Sequence, residues 1–187
     1  AGADAIGMVF YPQSPRCVGI DSAKAICDSL PPFVTRVGLF VDADRDYIKQ
    51  VLGNVGLDML QFHGSEAEED CLGYGRSWIK AIRMRPGTDV LQQSQRYNKS
   101  AGILVDSYVA GKAGGTGRTF DWDIIPANLA RPLILAGGLN PENVQDAIRR
   151  VKPYAVDVSG GVESAKGIKD RSKLVRFIEQ VRLTDNE

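Results

Sequence analysis

Apolar, strand-like segments recur along the chain about every 25 residues. Seven strands are predicted from them, beginning near Ala5, Thr35, Met59, Trp78, Gly102, Leu133 and Ala155. Between these segments, four apolar stripes have the i, i+3, i+4, i+7 spacing that gives a helix one buried face. The stripes are Ala23, Ile26, Cys27 and Leu30; Ile48, Val51, Leu52 and Val55; Val144, Ala147, Ile148 and Val151; and Leu174, Phe177, Ile178 and Val181. Strands that alternate with helices at this period predict parallel β/α units rather than a β-sandwich.

The number of strands bears on how the sheet closes. The four residues before Ala5 resemble the end of a helix turning into a strand. Because a barrel closed by eight strands leaves no edge unpaired, we expect an α/β fold of the (β/α)8 TIM barrel type, with the first β/α unit missing from this chain. Residues 1–187 would then form a single domain containing strands two to eight. The alternative is a seven-stranded or open doubly wound sheet.

Two glycine-rich turns follow the last two predicted strands. The first contains Gly137 and Gly138 and leads into Asn140-Pro141, which we interpret as a helix N-cap followed by the first helical residue. The second contains Ser159 and Gly160. Glycine lets the backbone approach a ligand closely, and barrel enzymes commonly bind phosphate at the loops after strands seven and eight. The pair of turns therefore predicts a phosphate site, although glycine also serves tight turns for purely structural reasons.

Composition narrows the function classes. Lysine plus arginine equals aspartate plus glutamate at 23 each, and no basic stripe stands out, so a nucleic-acid partner is not expected. No apolar run is long enough to span a bilayer, so no membrane partner is expected either. Three cysteines without metal-ligand spacing favour free thiols in a reducing compartment, hence a cytoplasmic protein. A single histidine, His63, gives no support for a metal site, and no cofactor is predicted.

Seven motifs, in this order and spacing, resemble the phosphoribosylanthranilate isomerase family over nearly the whole chain. They run from Gly2 to Arg16, Arg36 to Val41, Gln61 to Gly64, Leu104 to Asp106, Gly114 to Trp122, Leu135 to Val144 and Val156 to Glu163. The resemblance implies an enzyme of tryptophan biosynthesis. It would convert N-(5-phosphoribosyl)anthranilate to 1-(2-carboxyphenylamino)-1-deoxyribulose 5-phosphate by an acid/base Amadori rearrangement. The partner would be this small phosphosugar substrate.

The resemblance also implies roles for particular residues. Asp106, after an apolar strand, would be the general acid, and Arg16 would hold the anthranilate carboxylate. His63 would contact substrate, Asp157 would order the phosphate turn, and Gly114 to Gly117 would form a lid. The residues alone leave an alternative for each of these roles. Asp106 could instead be an N-cap or loop-ordering aspartate, and Arg16 could be a solvated surface arginine. His63 could be a histidine hydrogen-bonded to nearby backbone groups, and the glycine segment could be an ordinary surface loop.

Two departures from the family pattern stand out. The family begins with a strand carrying Lys-Ile-Cys-Gly-Ile/Leu-Thr, whose cysteine is the general base, and no such sequence occurs here. This chain alone is therefore expected to be impaired in catalysis, and Cys17 is interpreted as an ordinary loop thiol. The second departure is Ser159-Gly160-Gly161, where Ser-Ser-Gly is commoner; the backbone amide that would bind phosphate is retained.

Other functions remain open at this point. One is a different phosphosugar barrel, although an epimerase typically needs metal-ligating histidines and an indole-glycerol-phosphate synthase needs catalytic lysines, and Lys80 is the one clear strand lysine. Another is a non-catalytic phosphate-binding barrel derivative. The oligomeric state, monomer or homodimer, is not predicted from the sequence.

Overall fold

The computed structural model describes residues 1–107 and 120–185, and side chains as far as residue 184. The chain divides into two compact parts. We call Ala3–Ala81 with Lys99–Ala101 the N-terminal subdomain. Ala1–Gly2, Ile82–Asn98 and Gly102–Glu187 form the C-terminal subdomain.

The N-terminal subdomain is a parallel sheet with helices between its strands. Its strands are β1 (Ala5–Val9), β2 (Thr35–Phe40), β3 (Met59–Phe62) and β4 (Ser77–Met84), which continues into the C-terminal subdomain. They pair in chain order, and the register sets Phe40 opposite Phe62 and Phe62 opposite Lys80. Its helices are α1 (Ile20–Ser29), α2 (Arg45–Asn54) and a short 3-10 helix (Glu69–Cys71).

The predicted helical stripes account for the packing of this subdomain. Ala23 and Cys27 are the buried residues of α1, and Ile48 and Val51 those of α2. Helix α2 begins after Asp44, whose carboxylate accepts a hydrogen bond from the N–H of Asp46, a typical N-cap. Each helix therefore covers the sheet with the face that the sequence pattern indicates.

The C-terminal subdomain contains a second set of parallel strands. Its strands β5 (Gly102–Ser107), β6 (Leu133–Leu135) and β7 (Ala155–Val156) pair in parallel, and β8 (Glu163–Ala165) and β9 (Ile168–Lys169) form an antiparallel hairpin. Its helices are α3 (Val90–Gln95), α4 (Val144–Val151) and α5 (Arg171–Asp185), with 3-10 helices at Trp122–Ile124 and Gly160–Val162. The stripes of α4 and α5 pack into a shared core with Leu135 and Val162.

All seven predicted strands are present, and the four helical stripes fall on α1, α2, α4 and α5. Helix α3 and the β8–β9 hairpin carry no such pattern and were not predicted. Trp78 and Trp122 are buried in the core. Among the described residues, no helix combines the length and the apolar character needed to cross a membrane.

Candidate active site

The carboxyl ends of three strands are aligned in the C-terminal subdomain. The N–H of Ala136 donates to the carbonyl of Val105 at 2.8 Å, and the N–H of Asp157 donates to that of Leu135 at the same distance. Asp106, the Gly137 turn and the Ser159 turn therefore follow neighbouring strands at one edge of the sheet. This is the edge where parallel α/β folds carry their ligands.

Gly137 and Gly138 have the positive φ angles that favour glycine, 84° and 71°. A Cβ atom on Gly137 would collide with the backbone N of Ser107 and would lie 3.0 Å from Oδ1 of Asp106. Glycine is thus required here both by conformation and by the close approach of β5. The carboxylate of Asp106, which is only 6% exposed, lies directly beside the first turn.

The second turn contacts the first through the backbone. It begins at Ser159 and continues into the 3-10 helix Gly160–Val162. A Cβ atom on Gly161 would collide with the carbonyl oxygen of Leu139 and would lie 3.0 Å from the Cα of Asn140. The two predicted turns are therefore adjacent, while Asp157, which immediately follows β7, is solvent-exposed.

Asn143 fixes the shape of the first turn. Its side-chain Nδ2 donates to the carbonyl of Gly138 at 3.0 Å, and its Oδ1 accepts from the N–H of Asn140 at 2.8 Å. Asn140 in turn accepts the N–H groups of Glu142 and Asn143 on its own side-chain oxygen. The prediction that Pro141 is the first helical residue is wrong, because residues 141–143 form a turn and α4 begins at Val144. Asn140 still caps this segment, since its carbonyl accepts the N–H of Val144.

Lys169 fixes the second turn. Its ammonium group donates to the carbonyl of Ser159 at 2.8 Å and pairs with the buried carboxylate of Glu163 at 3.2 Å. The hairpin of β8 and β9 positions both of these side chains. Sequence reasoning missed Lys169 because it did not predict the hairpin.

Arg16 and His63 belong to the N-terminal subdomain. Arg16 is half-buried in the loop after β1, where its N–H donates to the Ser14 hydroxyl at 3.1 Å. His63 immediately follows β3, is 8% exposed, and donates its backbone N–H to the carbonyl of Phe40. Its Nδ1 lies 3.0 Å from Nε2 of Gln61. The predicted lid, Gly114 to Gly117, falls outside the described residues.

Two of the three cysteines are poorly suited to proton transfer. Burial raises the pKa of the Cys71 thiol to about 12, and the nearby Glu66 carboxylate adds to the effect. Burial also raises the pKa of Cys27. Cys17 is exposed in the loop after β1, beside Arg16. Within residues 1–107 and 120–185, no three His, Cys, Asp or Glu side chains cluster as a metal site requires.

Known proteins similar to this chain agree on its family. The sequence profile of the N-(5'-phosphoribosyl)anthranilate (PRA) isomerase family matches residues 1–180. The N-(5'-phosphoribosyl)anthranilate isomerase of Pseudomonas putida strain F1 is 59% identical over 182 residues, covering 97% of this chain and 88% of that protein.

Solved structures give the same result. The phosphoribosyl anthranilate isomerase of Thermotoga maritima is 40% identical with a TM-score of 0.85, covering 97% of this chain and 89% of that one. A phosphoribosyl anthranilate isomerase crystallised with reduced 1-(o-carboxyphenylamino)-1-deoxyribulose 5-phosphate is 38% identical with a TM-score of 0.81, covering 97% and 88%. Because the profile and the relatives span almost the whole sequence, the chain belongs to the N-(5'-phosphoribosyl)anthranilate isomerase family, and the isomerase function in tryptophan biosynthesis predicted from its sequence is confirmed.

Proposed function

We propose that Asp106 is the general acid of the rearrangement and that the Gly137–Gly138 and Ser159–Gly160 turns bind the substrate's phosphate. The observation that carries this assignment is the contact geometry of the C-terminal subdomain. The Asp106 carboxylate adjoins Gly137, and the turn containing Gly137 touches the turn containing Gly161. A proton donor beside a backbone-lined anion site is what a ring-opening reaction on a sugar phosphate needs.

The proposed chemistry is an isomerisation without net addition or loss of atoms. Asp106 donates a proton to the ribose ring oxygen, the C1′–O bond breaks, and the anthranilate nitrogen lone pair forms a C=N bond to C1′. A base then removes the proton from C2′, which gives an enolamine. Tautomerisation of the enolamine, with a proton returned to C1′, yields the ketose.

Phosphate binding is assigned to backbone N–H groups. The Gly138 carbonyl points toward Asn143, and in a trans peptide the following N–H, that of Leu139, points to the opposite side. Lys169 braces the second turn by donating to the carbonyl of Ser159. Asp157 is assigned to ordering this turn from the end of β7, as the family resemblance implies.

Arg16 and His63 are assigned to substrate binding. The molecule bound in the crystallised relative carries a carboxyphenyl group as well as a phosphate, so a substrate of this class needs cationic or polar partners at both ends. A guanidinium binds a carboxylate with two parallel hydrogen bonds, which suits Arg16 for the anthranilate end. A synthase mechanism would require a strand lysine, for which Lys80 is the candidate. Its ammonium group donates to the Gly64 carbonyl at 2.7 Å and pairs with the Glu66 carboxylate at 3.0 Å. These contacts favour the isomerase over the synthase.

The general base is assigned to the family's Lys-Ile-Cys-Gly-Ile/Leu-Thr strand, a sequence that the 187 residues do not contain. We place β1 to β7 as strands two to eight of one (β/α)8 barrel domain spanning residues 1–187, with the cysteine strand as strand one. A cytoplasmic location fits three cysteines that form no disulfide framework.

Asp106→Asn tests the assignment of the acid, in a chain that carries the cysteine strand. The asparagine keeps the shape of the side chain and removes its transferable proton, so kcat should fall by about 10² to 10⁴ with a smaller change in KM. Loss of anthranilate fluorescence measures turnover. A variant with near-parent kcat would exclude Asp106 as the acid.

A further inference from the structure

Lys80 is a buried cation on β4, with only 2% of its surface exposed. Its ammonium group donates to the carbonyl of Gly64 at 2.7 Å and to that of Phe62 at 3.4 Å. These are the carbonyls of the residues on either side of His63. Lys80 thus holds the backbone both before and after the single histidine of the chain.

Glu66 is the ion-pair partner of Lys80 and also binds backbone N–H groups. Its buried carboxylate pairs with Lys80 at 3.0 Å, accepts the N–H of Gly64 at 2.9 Å, and accepts the N–H of Asp42 at 2.8 Å. Asp42 follows the end of β2 and has an unusual φ of 46°. The ends of β2 and β3 and the middle of β4 are therefore held by one ion pair, which we call the Lys80–Glu66 clamp.

The ion pair lies beside a close backbone contact at Gly64. A Cβ atom on Gly64 would lie 2.6 Å from the backbone N of Asp42, so the two strand ends are in direct backbone contact. A buried ion pair is a weak source of stability, because desolvation of both charges offsets their attraction, and an apolar pair of similar volume is often as stable. What the clamp provides instead is a fixed path for the backbone that carries His63.

We infer that Lys80 and Glu66 are positioning residues for His63, holding residues 62–64 so that the imidazole meets the substrate in one orientation. This inference rests on the proposed role of His63 in substrate contact. The ring orientation is further set by Gln61, whose amide nitrogen lies 3.0 Å from Nδ1 of His63. Movement of residues 62–64 would disturb that hydrogen bond, and an error of 1 Å in a positioned group can cost on the order of 100-fold in function.

The test removes both charges together, because removing one alone leaves the other charge buried without an opposite charge beside it. We expect the double variant Lys80→Met with Glu66→Gln to remain folded. The matched control is Arg36→Met with Asp58→Asn, an ion pair of the same subdomain at the opposite ends of β2 and β3. If the double variant does not fold, Glu66→Gln alone, which keeps the shape of the side chain, takes its place.

Nuclear magnetic resonance of the imidazole is the direct readout, since the chain has one histidine and its ring signals are unambiguous. The parent and the control pair should show one and the same set of ring 1H–15N correlations. The clamp variant should show shifted or averaged nitrogen signals as the Gln61 contact loosens. Unchanged ring signals in the folded clamp variant would overturn the inference.

Ligand binding is the second readout. Affinity for reduced 1-(o-carboxyphenylamino)-1-deoxyribulose 5-phosphate should fall on the order of 10-fold in the clamp variant and stay constant in the control. Affinity for inorganic phosphate should not change in either. Shifted ring signals with unchanged analogue affinity would overturn the clamp's effect on substrate and exclude His63 as a contact. A parent chain that binds neither probe would contradict the proposed function, and the ring signals would still decide whether the clamp positions His63.

Discussion

The two subdomains hold their proposed ligand-contacting groups by different means. In the C-terminal subdomain, two glycine turns touch backbone to backbone and are braced by the neutral amide of Asn143 and the exposed end of Lys169. In the N-terminal subdomain, a buried ion pair fixes the segment that carries His63. A phosphate turn needs close approach and free N–H groups, which small residues supply. A side chain that contacts a ligand needs a rigidly held backbone segment, and here a buried ion pair that is hydrogen-bonded to several backbone groups holds it.

The largest expected effect comes from breaking the clamp on one side. Lys80→Met leaves the Glu66 carboxylate buried without its cation, and we expect it to lower the free energy of unfolding by about 3–5 kcal/mol. Urea denaturation measures the loss, with Lys49→Met, at an exposed lysine of α2, as the control expected to stay within about 0.5 kcal/mol. Adding Glu66→Gln should recover part of the loss. A double variant no more stable than Lys80→Met would show that the uncompensated charge is not the cause.

The next effect tests the backbone construction of the turns. Gly137→Ala introduces a side chain at a φ of 84° and against the backbone of Ser107, so we expect a loss of at least about 2 kcal/mol in stability and weaker phosphate binding. Gly53→Ala is the matched control, because Gly53 lies inside α2 with open space around it and should gain about 0.5–1 kcal/mol. Thermal unfolding and phosphate titration measure both. The prediction would be wrong if both variants gained stability or both lost it.

A smaller effect is expected at the brace of the first turn. Asn143→Ala removes the donor to Gly138 and the acceptor for Asn140, so inorganic phosphate should bind about 5- to 10-fold more weakly. The neighbouring Glu142→Ala keeps all backbone contacts of the turn and serves as the control. Equilibrium titration with phosphate measures the affinity. If Asn143→Ala binds phosphate as tightly as the parent, the hydrogen bonds of Asn143 do not contribute to phosphate binding.

The smallest effect concerns the exposed pair Arg36–Asp58, which contrasts with the buried clamp. Hydrogen bonding to Arg36 lowers the pKa of Asp58 from 3.8 to about 2. A lowered folded-state pKa contributes stability above pH 4 that is lost as the pH falls toward 2. Asp58→Asn should therefore cost no more than about 1 kcal/mol near neutral pH, since both partners are partly exposed, and this cost should shrink as the pH falls from 4 through 2. Denaturation at several pH values in this range measures the difference between parent and variant, and a difference that does not shrink between pH 4 and pH 2 would contradict the prediction.

The sequence predicted the features whose cause is local. Each strand is a short apolar run, so its start was found within a residue, and Gly137 and Gly138 have the positive φ angles that their own turn requires. The Lys80–Glu66 clamp was not predicted, because its partners are 14 residues apart on different elements and no pattern indicates that they meet. Asn143 was missed for a related reason. It lies where a helix beginning at Pro141 was expected, and its role depends on the helix beginning three residues later, at Val144.

The different exposures of the three cysteines have a practical consequence for labelling chemistry. Thiol reagents attack the thiolate, and burial disfavours that form in Cys27 and Cys71. A maleimide dye at neutral pH should therefore attach to Cys17 alone, without any engineered substitution. Because Cys17 is adjacent in sequence to Arg16, the dye would sit next to the proposed carboxylate-binding arginine and would report occupancy of that end of the substrate site through its emission.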